Sequence, residues 1–138
     1  MRENFEVFPV GIVKKADQRV SLEIFSEYKE ALLGLEQFSH IIVFCWFHKN
    51  DTPKRRKVLR VHPRRNETNP LTGVFATRSP SRPNLISCTV SRILAIHGEV
   101  IHIDDIDVMD GTPILDIKPY LPRKDIPPGV KVARWTGK

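Results

Sequence analysis

The sequence predicts an all-β fold: a single antiparallel β-barrel with one short helix and an irregular C-terminal tail. Three observations predict it. Runs rich in β-branched and aromatic residues recur along the chain, each bounded by turn residues. Eleven prolines and seven glycines punctuate the 138 residues, too many for a helical bundle. Two of the runs, Ile86 to Ile96 and Glu99 to Ile106, meet at His97-Gly98, which reads as a hairpin. Many short strands without βαβ alternation favour a closed or nearly closed antiparallel barrel.

In chain order, Phe5 to Val13 and Val20 to Ile24 read as the first strands. Ser26 to Leu33 reads as the helix. Ser26 offers a cap, Lys29 stands where a capping-box acid would sit, and Gly34 supplies the stop. His40 to Phe47, Val58 to Val61 and Val74 to Thr77 return to strand. In the second arm of the hairpin, Val100, His102 and Asp104 face one way and Ile101, Ile103 and Asp105 the other. Residues 121–138, with Pro122, Pro127, Pro128 and Gly129, read as an irregular tail that packs on the barrel or on a partner. With no repeat and no low-complexity segment, residues 1–138 are expected to form one domain.

The composition, 41% hydrophobic and 28% charged, is that of a soluble globular protein. No apolar run approaches the roughly 20 residues that span a bilayer, and the N-terminus lacks the apolar core of a signal peptide. A cytoplasmic protein without membrane contact is the expectation. Cys45 and Cys88 lie in apolar stretches and form no CxxC pair, so they read as two buried reduced thiols. The formal charge of +6 and pI of about 9.6 favour anionic partners, nucleic acid first. Between Lys54 and Arg65 stand seven basic residues and no acid. They form either a solvated connection or a rim that tracks phosphates, and the overall charge favours the rim.

Several chemistries find no motif. GxSxG, the P-loop and GxGxxG are all missing. His97, His102 and the acids from Asp104 to Asp110 contain metal-ligand types, but strand geometry sends neighbours to opposite faces, and no metal is expected. His48 ends the apolar run Ile41 to Phe47, where it either faces a cleft or caps the strand end. The turn Asp107-Val108-Met109-Asp110-Gly111 offers amides, carbonyls and carboxylates in one bend, suited to a small polar ligand, although an ordinary turn reads the same. Asp116, Lys118 and Tyr120 alternate with apolar residues, as in a lined pocket or a salt-bridged surface. Finally, GVFATRSPSRPN at 73–84 places Arg78 and Arg82 four apart on a proline-stiffened turn.

Four ordered blocks carry a resemblance: LGLEQFSH at 33–40 with the following VFCWFH, VHPR at 61–64, GVFATRSPSRPN at 73–84, and DGTPILDIKPYLP at 110–122. Together they resemble the TsaA-like family, whose best-understood branch is the TrmO-type tRNA methyltransferases, over most of the chain. The resemblance implies a single-domain β-barrel that uses S-adenosyl-L-methionine (SAM) and works as a homodimer. It implies methylation of N6 of the threonylcarbamoyl-modified adenosine at position 37 of tRNA. By matching motif it places His48, Lys49, Arg78, Cys88 and the turn of Asp107, Val108, Met109, Asp110 and Gly111 against the cofactor. Arg82, Lys118 and Tyr120 are carried over more loosely as substrate or pocket residues, and no catalytic base is assigned. On this reading the arginine turn is a rigid anion clamp. Alternatives from other classes are SAM-dependent methylation of a small molecule or another modified base, and a non-catalytic RNA-binding barrel.

Three departures stand beside the resemblance. The tRNA methyltransferase branch has a longer first loop with a Pro-Arg-Gln segment that touches SAM, whereas only residues 14–19 separate Val13 from Val20 here. Asn84-Leu85-Ile86-Ser87 stands where the family commonly reads NPIG, and the C-terminal extension of many members has no counterpart.

Overall fold

A computed structural model describes residues 2–137. Among them run eight strands: β1 (Gly11–Ala16), β2 (Arg19–Ile24), β3 (His40–Trp46), β4 (Arg60–Val61), β5 (Thr72–Gly73), β6 (Ile86–His97), β7 (Val100–Ile103) and β8 (Pro113–Pro119). Two helices, α1 (Pro53–Arg56) and α2 (Pro122–Asp125), are a single turn each, and the remaining helical segments are 3-10 turns. The chain forms two compact units. One runs to His48 and resumes over Ile86–Tyr120; the other comprises Lys49–Leu85 and the residues after Tyr120.

The first unit is a closed antiparallel barrel in the order β1-β2-β7-β6-β3-β8, with β8 returning to β1. Strand alternation builds its core. Val13, Leu22, Ile41, Val43, Cys45, Ile101 and Ile114 all point inward with no exposed surface, and their neighbours in sequence point out. β6 closes the ring because it is long enough to serve two partners. Its first half pairs with β3 (Phe44 opposite Cys88) and its second half with β7 (His97 opposite Val100). At Gly11 the neighbouring strand comes so close that a Cβ would collide with the carbonyl oxygen of Glu23. After β7 the chain crosses the barrel end over residues 104–111, and Ile106 and Val108 drop into the core as they pass.

Three local expectations are corrected. The first strand lies at Gly11–Ala16, not Phe5 to Val13, because pairing starts only where Gly11 meets Ile24 and Ile114. Phe5, Val7 and Phe8 stay exposed. Ser26–Leu32 is a 3-10 helix, not an α-helix: Phe25 holds the cap position with no side-chain cap bond, and the Ser26 hydroxyl faces Glu99 instead. Val74–Ala76 is also a 3-10 turn, closed by Thr77 N–H and Oγ1 on the Val74 carbonyl.

The second unit contains the two-stranded sheet β4–β5 and little apolar core, chiefly Val74 and Leu85. Polar contacts hold it. Thr52 caps α1 by accepting from the Arg55 N–H at 3.2 Å. Arg64 donates to the Thr136 carbonyl at 2.7 Å and lies 5.9 Å over the Trp135 ring, so the last residues belong to this unit. Among the described residues no helix is long and apolar enough to cross a membrane.

Candidate functional site: the turn before β8 and the arginine turn

The turn at 107–111 is built from β1. Gly111 adopts φ +84°, open to a residue without Cβ, and its N–H donates to the Val13 carbonyl at 2.8 Å. The Asp110 carboxylate accepts from the Lys15 N–H at 2.8 Å. The Lys15 ammonium donates to the Ile106 carbonyl at 2.6 Å and reaches Asp105 at 4.0 Å. Thr112 closes the bend with its hydroxyl on the Met109 carbonyl at 2.6 Å. The result is a fixed turn with Asp107 and Met109 exposed and Val108 buried in the core. The Val108 side chain is therefore enclosed by the barrel core.

Strand register brings two more predicted residues to this barrel end. Cys45 of β3 pairs with Ile114 at the start of β8, and Trp46 pairs with Ile86 at the start of β6. His48 leaves β3 here in a 3-10 turn (His48–Asn50), half-buried. Cys88 lies on the outer face of β6 and is exposed, which corrects the expectation of two buried thiols. Cys45 is the buried one, and burial pushes its thiol up to about 11.

Lys118 and Tyr120 lie toward the other end of β8. Lys118 forms an ion pair with Asp116 at 3.0 Å in an exposed position, and the Tyr120 N–H donates to the His40 carbonyl at 3.0 Å. An apolar cavity of about 440 Å³, lined by Tyr28, Leu32, Leu35, Phe38 and Ile117 among others, also opens toward that end. None of the predicted cofactor residues lines it.

Lys49, Arg78 and Arg82 belong to the second unit. Lys49 and Arg78 are exposed. Arg82 turns inward, and its Nη1 donates to the carbonyls of Thr77 and Ser79, each at 3.1 Å. The hydroxyls of Thr77 and Ser79 accept from the N–H groups of Ser79 and Ser81, each at 3.2 Å. From α1, Arg55 reaches Ser81, while Arg56 donates to Pro83 and Asn84. The arginine turn is thus knitted internally and pinned to α1, with Arg82 as one of its stitches and Arg78 on its outside.

Lys15 is a turn-anchoring residue that sequence reasoning missed, and Arg55 and Arg56, read there only as part of a basic rim, pin the arginine turn. Each has a partner 26 or more positions away in the chain, and Arg56 also pairs with Asp51 at 3.4 Å. Only the density of arginines before residue 60 hinted at a role. Among the described residues no group of three His, Cys, Asp or Glu side chains is placed to hold a metal ion.

Residues 4–126 match the model of the tRNA-methyltransferase O N-terminal domain. The chain belongs to that family. A probable S-adenosyl-L-methionine-binding protein of Pyrococcus horikoshii is 48% identical over 91% of this chain and 89% of its own length. The human tRNA (adenine(37)-N6)-methyltransferase is 41% identical over 84% of this chain, but over only 26% of that protein. The crystal structure of TrmO from Pseudomonas aeruginosa superposes with a TM-score of 0.72 at 29% identity, covering 94% of this chain and 62% of that one. The chain thus spans under two thirds of the TrmO chain it matches. TrmO-family membership and the closed barrel stand together with the resemblance read from the four sequence blocks.

Proposed function

We propose that this chain is a SAM-dependent methyltransferase acting on N6 of the threonylcarbamoyl-modified adenosine at position 37 of tRNA. The observation that carries the reading is the anchored 107–111 turn in a chain of the TrmO family. Relatives named for SAM binding and for tRNA adenine methylation support it. SAM, when bound, supplies a methyl group on a cationic sulfur.

The residues present fit such a group. The exposed Asp107 carboxylate favours a cationic ligand, while the Gly111 N–H and the Met109 carbonyl are engaged in holding the turn. Asp110 has a different task, since its Oδ1 holds the turn to β1. His48 and Cys88 are the further cofactor candidates of the barrel unit, and Lys49 and Arg78, both exposed, are those of the second unit. Arg78 offers a planar fork for a carboxylate or phosphate. Arg82 supports the substrate on this reading by holding its own turn, while Lys118 and Tyr120 lie toward the far end of β8 from the 107–111 turn. The protein's contribution to rate is placement: donor and acceptor held in line at near-attack distance with water excluded.

The chain works as a homodimer in the cytoplasm on this reading. Ile86, Val90 and Leu94 leave a half-exposed apolar stripe along the outer face of β6, which suits a second copy. Light scattering reads the oligomeric state.

Calorimetric titration with SAM, followed by labelled-methyl transfer to tRNA and nucleoside analysis, tests the whole. Micromolar SAM binding and label in the modified adenosine are expected. SAM binding with label only in another acceptor would shift the reading to a different substrate. RNA binding with no SAM effect would leave a barrel without the chemistry.

A further inference from the structure

The two units carry opposite charge. The barrel unit has seven Lys and Arg against thirteen Asp and Glu, a formal −6. The second unit has fifteen against three, a formal +12. The chain's basic pI therefore comes entirely from the smaller unit, and the barrel on its own is acidic. A polyanion meets attraction on one unit and repulsion on the other.

Part of this basic charge is structural. Arg55, Arg56, Arg64 and Arg82 are engaged in holding the unit together. Lys54, Lys57, Arg60, Arg65, Arg123, Lys124, Lys131 and Arg134 are all exposed. Apolar side chains interrupt this surface at the small sheet. Arg60 of β4 stands opposite Gly73 of β5, and Val74 donates to the Leu59 carbonyl at 2.9 Å. Val74 is buried, while the adjacent Phe75 is 86% exposed and Leu59 is 63% exposed. An aromatic ring held out into water by a knitted turn, inside a strongly positive field, combines the two elements of a single-stranded RNA platform. Cations track the phosphates and an aromatic face stacks on a base.

We propose that the second unit is the RNA-docking surface, in which Lys57 and Arg60 take backbone phosphates and Phe75 stacks on an unpaired base. The inference rests on the tRNA reading above and adds where the RNA binds and by which contacts. An unpaired loop is the form of RNA whose bases are open to stacking.

The test measures tRNA affinity of the full chain against salt for the wild type, Lys57→Gln/Arg60→Gln and Phe75→Ala, with SAM affinity and thermal midpoint alongside. Each phosphate contact removed from a single strand lowers the log–log salt slope by about 0.7, so the double variant is expected to lose roughly 1.4. Phe75→Ala is expected to weaken binding of an unpaired-loop RNA by roughly 5- to 150-fold, with the salt slope and duplex binding unchanged. SAM affinity and folding should stay as in the wild type for all variants.

Wild-type tRNA binding and methylation with no change in either variant would overturn the docking inference and leave the proposed activity standing. No wild-type tRNA binding, with SAM binding intact, would overturn both. Binding of phosphatidylserine vesicles in place of RNA, lost in the same variants, would reassign the surface to membranes and overturn the inference too.

Discussion

The carboxylate of Asp110 accepts a hydrogen bond from the backbone N–H of Lys15 at 2.8 Å, tying the loop that enters β8 to β1, its neighbour in the closed barrel. The two residues are 95 positions apart. Asp110→Ala removes the acceptor and is expected to cost about 1 kcal/mol of stability. Asp110→Asn keeps an acceptor oxygen and should cost less. Calorimetry should show SAM affinity falling at least tenfold for Asp110→Ala, with Asp110→Asn between it and the wild type. Wild-type SAM affinity in Asp110→Ala would remove the turn from the cofactor site.

Arg78 and Arg82 are equivalent in sequence and unlike in structure. Arg82 stitches its own turn through two carbonyls, whereas Arg78 is exposed. Arg82→Ala is expected to lower stability by roughly 1–3 kcal/mol, two bonds from a charged donor being lost, and Arg82→Lys to recover only part because the fork is gone. Arg78→Ala is expected to weaken SAM or tRNA binding. A thermal melt and a titration on each variant separate the two roles. Loss of stability in Arg78→Ala with unchanged ligand affinity would reverse the assignment.

The short first loop is a two-residue hairpin turn in which Asp17 and Gln18 both have positive φ, 52° and 61°. That pair of signs is the primed turn that matches strand twist, and it favours Gly at the second position. A side chain in this region costs about 1 kcal/mol. Gln18→Gly is therefore expected to stabilise the barrel by about 0.5–1 kcal/mol, read as a rise in thermal midpoint of a few degrees. No rise would mean that the greater freedom of glycine in the unfolded chain offsets the relief.

Much of the barrel was legible because alternation is local. Ile41-Val43-Cys45 and Ile101-Ile103 announce their inward faces, and His97-Gly98 announces the hairpin. What failed was also local in origin. Phe5 to Phe8 has strand composition but pairs with no strand among the described residues, and Val74–Ala76 has strand composition but a hydroxyl that closes a turn. At the candidate site, the bend at Gly111 and the stiffness of 73–84 were legible from the glycine and the prolines. Lys15 was not readable, because its role depends on β1 and the pre-β8 loop meeting across 91 to 95 residues. Arg55 and Arg56 looked like phosphate contacts for the same reason: their partners lie 26 to 28 residues on.

The two cysteines give the last prediction. Cys45 has no exposed surface and its thiol is raised from 9.0 to about 11 by burial, while Cys88 is exposed. A thiolate is the reactive form, so an alkylating reagent at pH 8 should label Cys88 within minutes and Cys45 only after denaturation, a pattern mass spectrometry resolves. The raised thiol also sets a pH dependence. Below pH 9 both folded and unfolded chains keep the proton, and stability is unaffected by this group. As pH rises from about 9 toward 11, the unfolded chain releases a proton that the folded chain retains, so stability falls, by about 3 kcal/mol if the full shift is realised. Cys45→Ala has no such proton. Its alkaline loss of stability between pH 9 and 11 should be shallower than that of the wild type, after allowing for a lower starting stability from the small cavity. Equal slopes in the two proteins would show that Cys45 ionises as readily in the folded chain as in the unfolded one.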